Sequence, residues 1–317
     1  MTKTPAPSTE RPLDAAAIAI VLLLCLTWGF NQVVVKLVLP DIPPMTQAAL
    51  RSCGGLAVVL VVARLRGVSL LARDGTWKPG LLAGVAFGIE FIFVYGGLMW
   101  TTASRAAVFL YTAPFFVAFG SHRFLGERLS RMQWGGLGLS FVGVAVAIGV
   151  PQPNVGLKVL LGDLSMIAAG SLWAATTLII KASRLRDAPA EKGLSYQLAI
   201  SIPILAVAAL VSGETWPGVP PASSVVLLVY QAVWVIGATF LLWFGLIKTY
   251  SASKLSAFTF FTPLFGVAAG HFILDDPLTA AFGVAAILVT AGLYLVNRPA
   301  PRSAPHATGA LLKPPKT

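Results

Sequence analysis

The chain has 317 residues, of which 56% are hydrophobic and only 11% charged, and its formal net charge is +11. Soluble domains carry about 25% charged residues, so a soluble body of this size could not cover its own surface, and lipid is the solvent for most of the chain. The basic residues fall in short gaps between apolar runs rather than on an aromatic-interleaved face, which excludes nucleic acid as a partner and fits the charge pattern that orients a membrane protein.

In chain order, residues 1–15 read as a polar cytoplasmic tail, and the first apolar run follows as a retained span. A helix needs roughly 20 apolar residues to cross about 30 Å of hydrocarbon. Ten runs qualify: 16–38, 45–63, 79–99, 105–121, 132–150, 159–180, 194–212, 224–247, 254–273 and 278–296. Residues 151–158 form a periplasmic linker, and residues 298–317, rich in Pro, Ala and Lys, a disordered cytoplasmic tail. Cys25 and Cys53 both lie inside apolar runs and read as small buried hydrophobes.

Ten spans put both termini on one side. All but four of the 23 Lys and Arg residues then fall on that side; the exceptions are Lys36, Arg51, Arg105 and Lys158. Basic loops stay in the cytoplasm, so the termini are expected there, in the bacterial inner membrane.

Half of the chain answers the other half. Trp28 and Lys36 recur as Trp173 and Lys181, Gly97-Leu98 as Gly245-Leu246, Ala103-Ser104 as Ala252-Ser253, Pro114 as Pro263 and His122 as His271, with Asp276 opposite Glu127. Shared membrane composition readily repeats Leu and Gly, but not Trp, Lys, Pro and His in order. Each half, 16–150 and 159–297, holds an odd number of spans, so the second enters the membrane from the opposite side. The expected fold is an all-α membrane protein of ten transmembrane helices in two inverted five-helix repeats around a central cavity.

These residues resemble the drug/metabolite transporter superfamily in its ten-span EamA type. The resemblance rests on Trp28-Gly29-x-Asn31, Lys36, Pro43-Pro44 and Ala49-Leu50-Arg51, then on Gly97-Leu98, Ala103-Ser104, Ala106-Ala107, Pro114, Gly126-Glu127-Arg128-Leu129 and Gly143-Val144. The second half departs from it, with Ala174 and Thr176 in place of Gly29 and Asn31, and Asp275-Asp276-Pro277 in place of Gly-Glu-Arg. Within the family the chain is most similar to the YddG-type exporters, which implies export of aromatic and other neutral amino acids.

Candidate transport residues follow from polarity at depth. Glu90 is a carboxylate inside a span with no acidic counterpart in the second half, which makes it a candidate for coupling or for a substrate ammonium; a hydrogen-bonded packing residue is the alternative. Trp28 and Trp173 line a cavity or pack helices. Asn31, Gln32, Tyr95, Tyr111, Thr176, Thr177, Gln231, Trp234 and Phe260 complete the candidate cavity set, although Ser and Thr hydroxyls often bond their own helix instead. Lys36 and Arg51 read as partners for Asp41, as snorkelling side chains, or as contacts for a substrate carboxylate. Pro114 and Pro263 mark hinges or static kinks.

No Gly-x-x-x-x-Gly-Lys-Ser/Thr loop and no His-Glu-x-x-His set occurs, and with three histidines neither ATP hydrolysis nor a metalloenzyme is expected: no enzyme, no cofactor, no metal. The expectation is a secondary exporter of neutral or aromatic amino acids, acting as a monomer or homodimer by alternating access. A broad drug or metabolite exporter is the nearer alternative, and a lipid-handling or sensory membrane protein the more distant one.

Overall fold

The computed structural model describes residues 12–101, 106, 109–148, 156–274 and 280–298. The N-terminal tail before residue 12, most of the expected linker at 151–158, the tail after Arg298, and the residues Arg105 and Asp276 lie outside the described residues. Every described element is helical: α1 (Ala15–Val38), α2 (Pro44–Leu65), α3 (Trp77–Leu98), α4 (Ala113–Gly120, prolonged by a π turn at Ser121–Leu125), α5 (Arg131–Ile148), α6 (Leu157–Ala182), α7 (Ala190–Val211), α8 (Ala222–Thr249), α9 and α10 (Ala280–Asn297). The ninth is composite, running as Ala252–Ala257, a 3₁₀ turn Phe258–Phe260, and Phe261–Leu274. Seven of them, α1 to α3 and α6 to α9, are long and apolar enough to cross a membrane. The chain is a multi-pass helical membrane protein.

The helix starts have local causes. Asp14 caps α1, its Oδ1 accepting from the backbone N–H of Ala17 at 2.8 Å. Pro44 opens α2, where a missing N–H removes no helical bond. The same end of α2 receives Glu214, whose two carboxylate oxygens accept from the N–H groups of Met45 and Thr46 at 2.8 Å each. A carboxylate there meets both the orphan donors and the positive end of the helix dipole. The turn after α4 closes on Gly126, with φ of 74°, a conformation that favours glycine.

Both predicted hinge prolines stand just after an interruption of the α-helix. In the fourth run Phe109 and Leu110 are helical, the chain turns at Tyr111 and Thr112, and α4 begins at Ala113, with Pro114 in its first turn. In α9 the 3₁₀ turn Phe258–Phe260 precedes Pro263. Proline starts a helix without strain but breaks the ladder of one arriving from its N-terminal side.

Helices pack closely through small residues. Gly80, Gly84 and Gly88 of α3, four apart, face Tyr196, Ile200 and Ile204 of α7. A Cβ on Gly84 would stand 2.7 Å from Ile200 Cβ and 2.8 Å from the carbonyl of Tyr196. Lipid gives no hydrophobic drive for helices to associate, so such close approach supplies the attraction. In the bundle, α5 lies along α10, α2 along α7 and α8, α3 along α6 and α7, α1 along α9, and α4 along α6.

Candidate functional site

Helices α1, α2, α3, α6, α7 and α8 line a cavity whose empty space, open mouth included, is about 900 Å³. Helical periodicity selects its lining. From α1 come Trp28, Asn31, Gln32 and Val35, and from α6 Trp173, Thr176, Thr177 and Ile180, each set spaced as one face of a helix. The two sets are related by the same shift of 145 positions. On α3 the face is Phe87, Glu90, Phe91, Val94, Tyr95 and Leu98. Phe91, Val94 and Tyr95 recur at a shift of 149 as Phe240, Trp243 and Phe244 of α8, which also line the cavity. Arg51 of α2 and Gln197 of α7 face it from related positions, and Leu110 and Tyr111 close it before α4.

Aromatic rings build one wall. Trp28 is the hub: its ring lies 6.1 Å from Trp173, 5.8 Å from Phe240 and 5.5 Å from Trp243, all tilted or edge-on, as aromatic quadrupoles prefer. Its Nε1 donates to Thr239 Oγ1 at 2.9 Å, which fixes the indole. Tyr111 stands edge-on to Trp173 at 5.9 Å.

Polar groups interleave with these rings and are incompletely satisfied. Arg51 is 3% exposed, and its guanidinium carbon lies 3.9 Å from the centre of the Phe91 ring and 5.1 Å from that of Tyr95. Among the described residues its Nε and Nη2 have no hydrogen-bond partner, nor do Glu90 Oε2, Asn31 Oδ1, Tyr95 OH or either amide atom of Gln197. Arg51 and Glu90, the guanidinium and the carboxyl group of this lining, lie within electrostatic reach of one another, yet these atoms share no hydrogen bond. A cation over a ring gains about 0.5–2 kcal/mol. A buried donor left without an acceptor costs about 1–3 kcal/mol, more when charged. The rings alone therefore do not offset the burial of Arg51.

Nine of the predicted cavity residues line this space: Trp28, Asn31, Gln32, Glu90, Tyr95, Tyr111, Trp173, Thr176 and Thr177. Thr176 also bonds its own helix, Oγ1 donating to the carbonyl of Leu172 at 2.9 Å. The other three lie away from it. Gln231 is fully buried outside the cavity with both amide atoms unpartnered among the described residues, Trp234 is partly exposed and donates to Thr27 Oγ1 at 3.3 Å, and Phe260 packs 6.2 Å from Phe115. Gln231 and Trp234 sit in a π-helical stretch, Gln231–Thr239, whose wider turn defeats face counting at the α-helical period. Phe260 sits in the 3₁₀ turn ahead of Pro263, where the tighter turn does the same.

Sequence reasoning undervalued Arg51 and Gln197 and did not single out Phe87, Phe91, Phe240, Trp243 or Phe244. Counting from Glu90 along its helix, three back, and one, four, five and eight forward, traces the α3 set. Asp163, a second intramembrane carboxylate, was also missed; it is buried and accepts from Thr101 Oγ1 at 2.7 Å. Of the charged residues expected at helix ends, Lys36 is exposed, Asp41 accepts from Ser224 Oγ at 2.5 Å, and Lys181 is buried beside Glu127.

Comparison with known proteins agrees with this architecture. A solved crystal structure superposes with a TM-score of 0.73 at 21% identity, over 89% of this chain and 97% of that one, which shows a shared fold. The uncharacterized transporter YoaV of Bacillus subtilis is 25% identical over 285 residues, 87% of this chain and 94% of its own length. A probable amino-acid metabolite efflux pump of Escherichia coli is 26% identical over 287 residues, 86% of this chain and 92% of its own length. The sequence profile of the EamA-like transporter family matches twice, over residues 15–149 and again over 160–298. With nearly the whole helical body matched by the two copies, the chain belongs to the EamA-like transporter family.

Proposed function

We propose that this transporter exports neutral and aromatic amino acids from the cytoplasm, as a secondary carrier of YddG type working by alternating access. Its ten spans form two five-helix repeats of opposite orientation, both termini face the cytoplasm, and it resides in the bacterial inner membrane. The observation that carries the reading is the cavity. Its lining combines aromatic rings with polar groups of which few are charged, and its positions on α1 and α3 recur on α6 and α8. A site between two like halves of opposite orientation opens to one side and then the other when the halves exchange conformations.

The packing pattern supports this. Exchanging each helix for the one five places along turns α1 on α9 into α6 on α4, and α2 on α8 into α7 on α3; α2 with α7 and α5 with α10 map onto themselves. The relative described as an amino-acid metabolite efflux pump supports both the cargo and the direction. Glu90 is the coupling group, and the two prolines are the hinges. The test is counterflow by the purified chain in liposomes, with a panel of amino acids and with or without a pH gradient. Phenylalanine, tyrosine and leucine are expected to exchange, and a Glu90→Gln variant to lose the response to the gradient. A wild type that moves no amino acid ends this reading; a Glu90→Gln variant with wild-type pH dependence ends the coupling role alone.

A further inference from the structure

We propose that Arg51 is the anchor for a carboxylate on the transported molecule, with Glu90 taking its ammonium, so that the cavity selects its cargo by a charged head as well as by an apolar tail. The Glu90 half rests on the amino-acid reading above; the Arg51 half requires only a carboxylate.

The argument starts from which atoms are orphaned. Nε and Nη2 form one edge of the guanidinium, two parallel N–H donors at the spacing of two carboxylate oxygens. Both are buried, both face no acceptor among the described residues, and the side chain lines the cavity. The rings of Phe91 and Tyr95 hold the guanidinium plane, so the fork is set before anything binds. A snorkelling arginine would reach water or headgroups; this one is 3% exposed.

Asymmetry fixes which end takes the head. The position related to Arg51 in the second half holds Gln197, and those related to Glu90 hold Ala238 and Thr239. Both charges of the lining therefore come from the first half, while Trp173, Phe240, Trp243 and Phe244 of the second half offer an uncharged aromatic surface. One guanidinium with one carboxyl group in its reach offers little to a dianion. It matches a zwitterion, whose carboxylate and ammonium stand side by side, and disfavours phosphate esters.

Three tryptophans line the cavity, so intrinsic fluorescence of the purified full chain reads occupancy without transport. The probes are L-phenylalanine, its amide, 3-phenylpropanoate and phenethylamine. Wild type is expected to bind L-phenylalanine and 3-phenylpropanoate more tightly than the amide and the amine. Arg51→Gln should weaken both carboxylates by about 30-fold or more and leave the amide unchanged, which also reports that the variant is folded. Arg51→Lys, which keeps the charge but not the fork, should fall between. The Arg51 assignment is overturned if wild type fails to prefer carboxylates, or if Arg51→Gln binds L-phenylalanine as wild type does. Arg51-dependent binding of 3-phenylpropanoate together with no binding of L-phenylalanine would uphold the anchor while refuting the amino-acid reading. Glu90→Gln should weaken L-phenylalanine but not 3-phenylpropanoate, and equal losses for both would remove Glu90 from the head-group site.

Discussion

Lys181 holds three segments together at the end of the bundle where Asp14 begins α1. Its Nζ donates to Glu127 Oε1 at 3.3 Å and to the carbonyl of Tyr250, and its side chain is 2% exposed. Glu127 accepts further bonds from Ser251 Oγ at 2.6 Å and from the N–H groups of Ala252 and Ser253 at 3.1 and 3.2 Å. It thereby caps the first turn of α9, and Tyr250 OH donates to Asp14 Oδ2 at 2.8 Å. Burial acts to raise the Glu127 carboxyl, but Lys181 and the serine donors outweigh it and hold the group below its ordinary value. Lys181→Met leaves that carboxylate buried without its cation, and a loss of about 3 kcal/mol is expected, read as a lower thermal midpoint in detergent. The loop before α3 carries a milder version. Asp74 accepts from Lys192 Nζ at 2.7 Å and from Thr76 Oγ1 at 2.6 Å, and these bonds hold its carboxyl well below the usual carboxylate range. A depressed folded value means that the contribution is complete above the unfolded value of about 3.9 and fades as pH falls through the folded one. Thermal midpoints measured between pH 6 and pH 3 should therefore fall less steeply for Asp74→Asn than for wild type.

Among the elements, the irregular helices and the closely packed ones have different work. The Gly80, Gly84 and Gly88 stripe lets α3 and α7 approach to backbone contact, so Gly84→Val must push the helices apart. Overpacking of this kind costs about 1–3 kcal/mol. The expected result is a lower thermal midpoint, with Gly84→Ala milder than Gly84→Val. A turn before Pro114 and a 3₁₀ turn before Pro263 interrupt the helices, and both positions follow residues adjoining the aromatic core. If these joints bend during transport, Pro114→Ala with Pro263→Ala should slow counterflow several-fold while leaving the affinity for L-phenylalanine intact. Static kinks would leave the rate unchanged. The π-helical stretch of α8 has a visible effect on placement: it turns Gln231 away from the cavity yet brings Val235, Phe240, Trp243 and Phe244 to it.

At the scale of the whole molecule, two halves that repeat in sequence also pack alike, and both match the same family profile. The proposed opposite orientation of the halves makes a firm demand on topology. Reporters fused after Lys158 and after Arg298 should lie on opposite sides of the membrane, the first outside and the second in the cytoplasm. A cytoplasmic reporter after Lys158 would contradict both the inversion and the ten-span count.

Much of this was legible in the residues themselves. Scarce charge required lipid as solvent, and run lengths located the helices other than the fourth to within a few residues, because 1.5 Å of rise per residue must span a fixed thickness. Duplication picked out Trp28 with Trp173 and Asn31 with Thr176, since a repeated fold keeps equivalent side chains at equivalent depth. Tertiary structure alone decided which face of each helix points inward. In a soluble helix polarity marks the outer face, but in lipid both faces are apolar and the pattern carries little direction. That is why Arg51, near the start of α2, read equally well as snorkelling or inward-facing until the rings of Phe91 and Tyr95 were found stacked on it. It is also why Gln231, Trp234 and Phe260 were misplaced: a π stretch and a 3₁₀ turn shift the angular register, and packing against neighbouring helices, not local sequence, selects where such irregular turns form.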